Sequence, residues 1–324
     1  MGSTSTTKFT SRLPDEYQDD SYEILQKTIN KYSYSLTKKN FSKFTDNNIN
    51  EKILINEFKI LRINTDYNEK RKNRLIGYNN KNRYGDIGPY KDNIVTLKNQ
   101  NYINASFINI PNKRSYIATQ GPLNNTISDF WEMIIEYNVM VIVMLCNTIE
   151  GQTSKCSEYW KKELIEQDNL FILKNITTIE SKYKNLIIRE IEIQKNGNWE
   201  IKKVLHYQFI GWPDHDVPNE FEIYNTFIYL FDKIKEEESH TTVVHCSAGV
   251  GRTGTFLTLH ILYHDILNQI YNKCTEISFS IFGLVRQLKE MRYLLVENEK
   301  QYIFIYKFLR ILLGLIFKKQ NSNQ

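Results

Sequence analysis

The segment of this chain richest in chemistry is Val243-Val244-His245-Cys246-Ser247-Ala248-Gly249-Val250-Gly251-Arg252-Thr253-Gly254-Thr255. An apolar run enters a glycine-rich turn, and the turn enters a helical pattern. Such a turn points successive backbone N–H groups at one spot and makes an anion-binding nest. The helix start aims its dipole at the same spot. Arg252 supplies a planar, two-pronged cation suited to phosphate oxygens. Cys246 opens the turn and shares this positive field, so it is expected as a thiolate nucleophile at neutral pH. Ser247, Ala248, Gly249, Val250 and Gly251 are the expected substrate cradle.

Simpler accounts explain less. The nucleotide-binding pattern G-x-x-x-x-G-K-[ST] is absent. Neighbouring residues on a strand point to opposite faces, so His245 is not expected to deprotonate Cys246 directly. A buried cysteine before a helix-capping glycine turn leaves Arg252 and the hydroxyls of Ser247 and Thr253 unexplained. A second segment, Gly211-Trp212-Pro213-Asp214-His215-Asp216-Val217-Pro218, carries a carboxylic acid on a loop. Such an acid can protonate a leaving oxygen once substrate is bound.

H-C-x5-R-[ST], here His245-Cys246 through Arg252-Thr253, resembles the signature of the protein tyrosine phosphatases, and the resemblance extends from about Ile53 to Phe317. It implies a cysteinyl-phosphate mechanism on phosphotyrosine in proteins. In that mechanism Cys246 is the nucleophile, Arg252 holds the phosphate and Asp214 is the general acid and then base. Thr253 would stabilise the departing thiolate, and Gln301 would place the attacking water. Trp212 matches the hinge anchor of the acid loop, and Asp216 stands where many members have Gly.

Asn82-Arg83-Tyr84-Gly85-Asp86 resembles the phosphotyrosine-recognition loop. Tyr84 would stack on the substrate ring, and Asp86 would accept from the substrate backbone. Glu150, Lys155 and Tyr159 match supporting positions. Glu150 would orient Arg252, and Tyr159 would hydrogen-bond His245. The chain departs from the family at Val296-Glu297-Asn298-Glu299-Lys300-Gln301-Tyr302, where Glu297 replaces the first Gln of a V-Q-T-x-x-Q-Y pattern. An ionised carboxylate accepts from water but cannot donate, which weighs on the second chemical step. Two other classes remain open: a phosphotyrosine-binding module with turnover impaired by Glu297 and Asp216, and a phosphatase of broader specificity, for phosphoserine or phosphoinositides.

The resemblance implies an α/β fold, a highly twisted mixed β-sheet with helices on both faces. The pattern along the chain agrees with that class. Ile55, Phe58 and Leu61 share a helical face from near Ile53. Short strand-like runs lie between Tyr90 and Ile117, and a helix is expected over Ser128 to Tyr137. Val139 to Leu145 and Thr242 to His245 read as strands buried on both faces. Leu170 to Ile193 and Glu200 to Ile210 read as strands around the turn Lys195-Asn196-Gly197. Phe221 to Lys235, Arg252 to Ile270, Phe279 to Met291 and Gln301 to Ile316 read as helices. The expected organisation is a polar, mobile extension over 1–50 with one short helix from Tyr22 to Tyr32, a catalytic domain over 51–317, and a polar tail over 318–324.

Composition sets the remaining bounds. The chain has 324 residues, 41% of them hydrophobic, enough for a sizeable core. Its net charge of +5 is spread along the chain with no basic stripe, so no nucleic acid is expected. Four scattered cysteines suit a reducing, cytoplasmic compartment. The apolar stretch Tyr302 to Phe317 is interrupted by Lys307 and Arg310 and reads as a core helix. Met1-Gly2-Ser3-Thr4-Ser5-Thr6 fits the N-myristoylation pattern, which would give weak membrane association. His260 and His264 have helical metal-pair spacing without an evident third ligand, so no metal is expected, and the implied chemistry asks for no cofactor.

Overall fold

The computed structural model describes residues 34–36, 44, 50–67, 73–77, 80–111, 114–213, 216–237 and 240–322. The expected helix near Tyr22, the Gly2 acceptor and Asp214 lie outside the described residues.

A seven-stranded mixed sheet forms the centre, in the order β2-β3-β10-β4-β9-β8-β7. Its strands are β2 (Ala105–Asn109), β3 (Ser115–Thr119), β4 (Val141–Met144), β7 (Phe171–Ile179), β8 (Leu186–Lys195), β9 (Ile201–Phe209) and β10 (Thr242–His245). The four middle strands β3, β10, β4 and β9 are parallel, and β2, β8 and β7 extend the sheet antiparallel at its two sides. Parallel pairing needs crossovers. Helix α2 (Ile127–Glu136) connects β3 to β4, and α4 (Glu220–Glu236) connects β9 to β10. Every residue of β4 and β10 is buried, which is why β4 reads as continuously apolar, while β10 also buries the polar Thr242 and His245. The sheet is flanked by helices, as the α/β expectation had it.

The remaining elements are β1 (Tyr34–Leu36), α1 (Glu51–Tyr67), β5 (Ile149–Glu150), β6 (Thr153–Ser154), α3 (Lys162–Ile165), α5 (Gly251–Tyr271), β11 (Ile277–Phe279), α6 (Ile281–Met291) and α7 (Glu299–Ser322). Helix α5 is apolar on nearly all sides and is buried at the centre of the helical layer. Helix α7 buries Tyr302, Ile305, Phe308, Leu309 and Leu313. Its Tyr302 and Tyr306 hydroxyls donate to the buried Glu57 carboxylate of α1 at 2.9 and 2.7 Å, so that polar group is satisfied inside the core.

Five expectations are corrected. The core face of α1 is Leu54, Phe58 and Leu61, with Ile55 only partly buried, because a full turn separates Leu54 from Phe58. The run from Leu170 to Ile193 is two strands, not one, broken by a turn in which Tyr183 N donates to Ser181 Oγ. Phe279 ends a strand instead of starting a helix, because Ser280 caps α6 by accepting from Gly283 N at 3.0 Å. The region read as a mobile extension is docked in part: β1 pairs antiparallel with β11, and Phe44 meets the Phe279 ring edge-on at 5.5 Å. Helix α7 also runs through the expected tail as far as Ser322.

Candidate active site

The parallel strand β10 delivers Cys246 to the start of α5 across residues 246–250. Gly249 makes the turn possible. Its φ is +71°, and a Cβ there would sit 2.0 Å from the Thr119 carbonyl oxygen.

Each carbonyl of this turn is held by a donor. His245 Nδ1 donates to Cys246 O at 3.1 Å, and Gly121 N donates to Ser247 O at 2.8 Å. Arg292 donates to Ala248 O through Nη2 at 3.1 Å and to Gly249 O through Nε at 2.9 Å. Gly254 N and Val296 N donate to Val250 O at 2.8 and 3.3 Å. Across a planar trans peptide the next N–H points the opposite way. The N–H groups of Ser247, Ala248, Gly249, Val250 and Gly251 are therefore turned away from those donors. Among the described residues, no protein group accepts from any of the five. Five successive N–H groups free in one turn are what an anion-binding nest requires.

Cys246 lies at the base of the nest, 4% exposed, and the Thr253 hydroxyl donates to its Sγ at 3.3 Å. Arg252 forms a two-pronged ion pair with Glu150 on the β5–β6 hairpin, Nη1 to Oε1 and Nη2 to Oε2, the latter at 2.7 Å. Burial works against the Arg252 charge, but the Glu150 hydrogen bonds and the neighbouring Cys246 and Glu150 charges outweigh it and hold the guanidinium above its ordinary range. The pair fixes the fork in one plane. Lys155 Nζ lies 4.0 Å from Glu150 Oε2.

Tyr84 rests at the rim, half-buried, its hydroxyl 2.9 Å from Ser247 Oγ. Ser247 Oγ also donates to Lys155 O at 3.0 Å. Asp86 is exposed, and its carbonyl accepts from Arg74. Trp212 is buried against Phe227 and Phe304, and its indole N–H donates to Asp216 O at 3.0 Å. The Asp216 carboxylate accepts from Val217 N at 3.0 Å and meets Lys300 Nζ at 3.2 Å. The Val217 N–H, then Lys300, hold it below the usual carboxylate range. Asp216 thus binds the first turn of α7 rather than standing as a loose charge.

Gln301 and Glu297 border the other side of the nest. A Cβ placed on Gly251 would lie 2.7 Å from both Gln301 Nε2 and Glu297 Oε2. Gln301 Oε1 accepts from Glu297 N at 2.8 Å, which turns the Gln301 amide so that Nε2 is free to donate on its other side. The segment is strained: Leu294 and Val296 hold φ of 63° and 59°, rare for bulky side chains.

A family model described as "Protein-tyrosine phosphatase" matches residues 78–310, well over half of the chain. The chain belongs to the protein-tyrosine phosphatase family. It is 38% identical over 247 residues to tyrosine-protein phosphatase non-receptor type 20 of Rattus norvegicus, covering 73% of this chain and 55% of that protein. Against the Homo sapiens protein of the same name it is 39% identical over 236 residues, covering 70% and 53%. Receptor-type tyrosine-protein phosphatase eta of Mus musculus is 36% identical over 234 residues, 69% of this chain and 18% of that protein. The matched region spans about half the length of the two non-receptor relatives.

In this phosphatase-family chain the fold brings Cys246, Arg252, Thr253, Glu150, Tyr84, Glu297 and Gln301 around one nest. His245 and Tyr159 stand behind it, with Tyr159 Oη 2.8 Å from His245 Nε2. Sequence reasoning missed Arg292, which is fully buried and holds two nest carbonyls as well as Asn104 and Ser106. Burial pulls its pKa down to about 10. It also missed Arg189 and His206, which join Tyr159 from the adjoining strands. Nothing in their local sequence marks them, since each acts through partners distant along the chain. Of the helical histidine pair, His260 Nδ1 is bonded to the Tyr116 hydroxyl at 2.7 Å, a core contact.

Proposed function

We propose that this chain hydrolyses phosphotyrosine in proteins through a cysteinyl-phosphate on Cys246, and that residues 51–317 form the catalytic domain. The observation that carries the reading is the nest: five N–H groups without a protein acceptor among the described residues, together with the Glu150-locked Arg252 fork and a buried Cys246 sulfur. A phosphate dianion matches that arrangement in charge and in number of acceptors.

Cys246 thiolate attacks phosphorus in line while the nest and Arg252 hold the equatorial oxygens. Asp214 gives its proton to the departing tyrosyl oxygen. A water oriented by Gln301 and Glu297 then attacks the cysteinyl-phosphate, Asp214 takes its proton, and Cys246 leaves as thiolate toward the Thr253 hydroxyl. Phosphate is released. Tyr84 lines the wall for the substrate ring and Asp86 meets the substrate backbone. The partners are phosphotyrosine-containing proteins. Among the described residues, no helix is long and apolar enough to cross a membrane.

The test pairs wild type with Cys246→Ser on matched phosphotyrosine and phosphoserine peptides. Turnover of the phosphotyrosine peptide alone, lost in Cys246→Ser with binding retained, is the expected result. Activity surviving in pure Cys246→Ser would overturn the covalent mechanism. Equal turnover of both peptides would establish the broader specificity, and binding without turnover would establish a phosphotyrosine reader.

A further inference from the structure

Behind the nucleophile runs a chain of four hydrogen-bonding side chains from the outer strands to the cradle. Arg189 Nη1 on β8 lies 3.2 Å from His206 Nδ1 on β9. His206 Nε2 lies 2.8 Å from Tyr159 Oη, and Tyr159 Oη lies 2.8 Å from His245 Nε2. His245 Nδ1 closes the chain on Cys246 O at 3.1 Å. His206, Tyr159 and His245 are fully buried.

The direction of every proton in this chain is determined. A neutral imidazole carries one donor and one acceptor nitrogen, and a tyrosine hydroxyl has a single proton. Two polarities therefore exist. In one, His206 Nε2–H donates to Tyr159, Tyr159 donates to His245 Nε2, and His245 Nδ1–H donates to Cys246 O. In the other every proton is reversed. The reversed chain places His206 Nδ1–H against Arg189, which can only donate, and a His245 lone pair against the Cys246 carbonyl, which can only accept. Both ends select the first polarity.

Arg189 cannot turn away to relieve this constraint. Its Nη1 also donates to Gln208 Oε1 at 3.0 Å, and its guanidinium lies 4.4 Å from the centre of the Trp160 ring. Gln208 is held in turn by its Nε2 donating to Cys146 O at 3.2 Å. The groups facing the histidines are Arg189 on β8, Tyr159 after β6, and Arg83 near His245. Desolvation, then the Arg189 charge, keeps His206 in its neutral form, and desolvation does the same for His245, which keeps one proton on each ring.

We infer that Arg189 is a positioning residue for the active site, setting through His206, Tyr159 and His245 the proton that holds the Cys246 carbonyl and so aims the Ser247 N–H into the nest. The consequence reaches the ligand. The Cys246 carbonyl and the Ser247 N–H belong to one peptide and point in opposite directions. Reversing the chain would put two acceptors face to face at His245 and Cys246 and would loosen the first donor of the nest. This inference rests on the proposed reading of the nest as a phosphate site.

The experiment uses the full chain with nitrogen-15 in its histidines. Long-range proton–nitrogen spectra read the tautomer of each ring, and inorganic phosphate is titrated as the probe of the nest. Wild type is expected to show His245 protonated at Nδ1 and His206 at Nε2. Arg189→Met, which leaves only the Cys246 end to select the polarity, is expected to weaken the preference of His206 for the Nε2–H tautomer and to bind phosphate about three- to tenfold more weakly, the worth of one neutral hydrogen bond. Arg189→Lys, which keeps a donor, is expected to restore both. The opposite wild-type tautomers would overturn the inference, and that reading holds even where Arg189→Met fails to fold. A folded Arg189→Met with unchanged spectra and unchanged phosphate binding would overturn it as well. Tautomers and phosphate binding are read without turnover, so an inactive wild type with the expected spectra and titrations would refute the proposed hydrolysis and support the positioning role.

Discussion

Thr253→Val is the sharpest test of how the thiolate is stabilised. The Thr253 hydroxyl donates to Cys246 Sγ at 3.3 Å, and both residues are buried, so no bulk water stands ready to replace it. Val keeps the shape of Thr and deletes the donor. A hydrogen bond to a charged acceptor contributes about 1.5–3 kcal/mol. That bond is made to a full negative charge when Cys246 leaves the phosphoenzyme. It matters less when Cys246 attacks, because the same bond stabilises the starting thiolate. The whole amount therefore falls on the second step, where it corresponds to roughly a ten- to hundredfold slower rate. Stopped-flow hydrolysis of a chromogenic aryl phosphate should show a burst approaching one product per enzyme, then a steady rate lower by that factor. Thr253→Ser should recover most of it, and the thermal midpoints should show that the variants are folded. A Thr253→Val enzyme with a steady rate within threefold of wild type and no larger burst would refute the reasoning.

Three further outcomes are expected. Glu297→Gln should shrink any wild-type burst relative to the steady rate and raise turnover several-fold, because it removes a carboxylate that borders the nest at Gly251; an unchanged or lower rate would mean that Glu297 is neutral or helpful. Gly249→Ala should cost roughly 1–3 kcal/mol for its left-handed backbone, plus the clash with the Thr119 carbonyl, and should abolish turnover; a variant with wild-type melting and activity would contradict the nest geometry. Stability should fall in mild acid, since His245 is held down to about 4 by burial while an unfolded histidine titrates near 6.5. Its folded pKa is depressed, so the folded state is penalised as pH drops from about 6.5 to about 4, by about 3 kcal/mol in all. Buried His206 and His260 shift the same way. Urea midpoints at pH 7, 6 and 5 test this, and a flat profile would refute it.

Local signals carried much of this protein. The H-C-x5-R-[ST] run holds its turn glycine, cysteine and cation within the seven positions from Cys246 to Arg252, so the proposed cradle and the proposed nucleophile were legible together in the sequence. β10 agrees with its expected bounds residue for residue: the apolar pair Val243-Val244 is flanked by Thr242 and His245, and all four are buried in the middle of the sheet. The pairing of Glu150 with Arg252 and of Tyr159 with His245 was expected from the resemblance, and the fold brings both pairs together.

What only the tertiary structure decided concerns groups far apart along the chain. Arg292 holds the carbonyls of Ala248 and Gly249 from more than forty residues away, and Arg189 reaches the nucleophile only through three other side chains. A lone arginine in an amphipathic stretch reads as a solvated charge, and its value appears only when burial leaves one geometry that satisfies all its donors. Asp216 was the converse case. By itself it is one more carboxylate in that loop, and the approach of Lys300 on the first turn of α7 makes it a tie between the loop and that helix. Residue type and short spacing therefore determined which groups are candidates for the chemistry, whereas long-range hydrogen bonding, paid for by burial, determined which way those groups point.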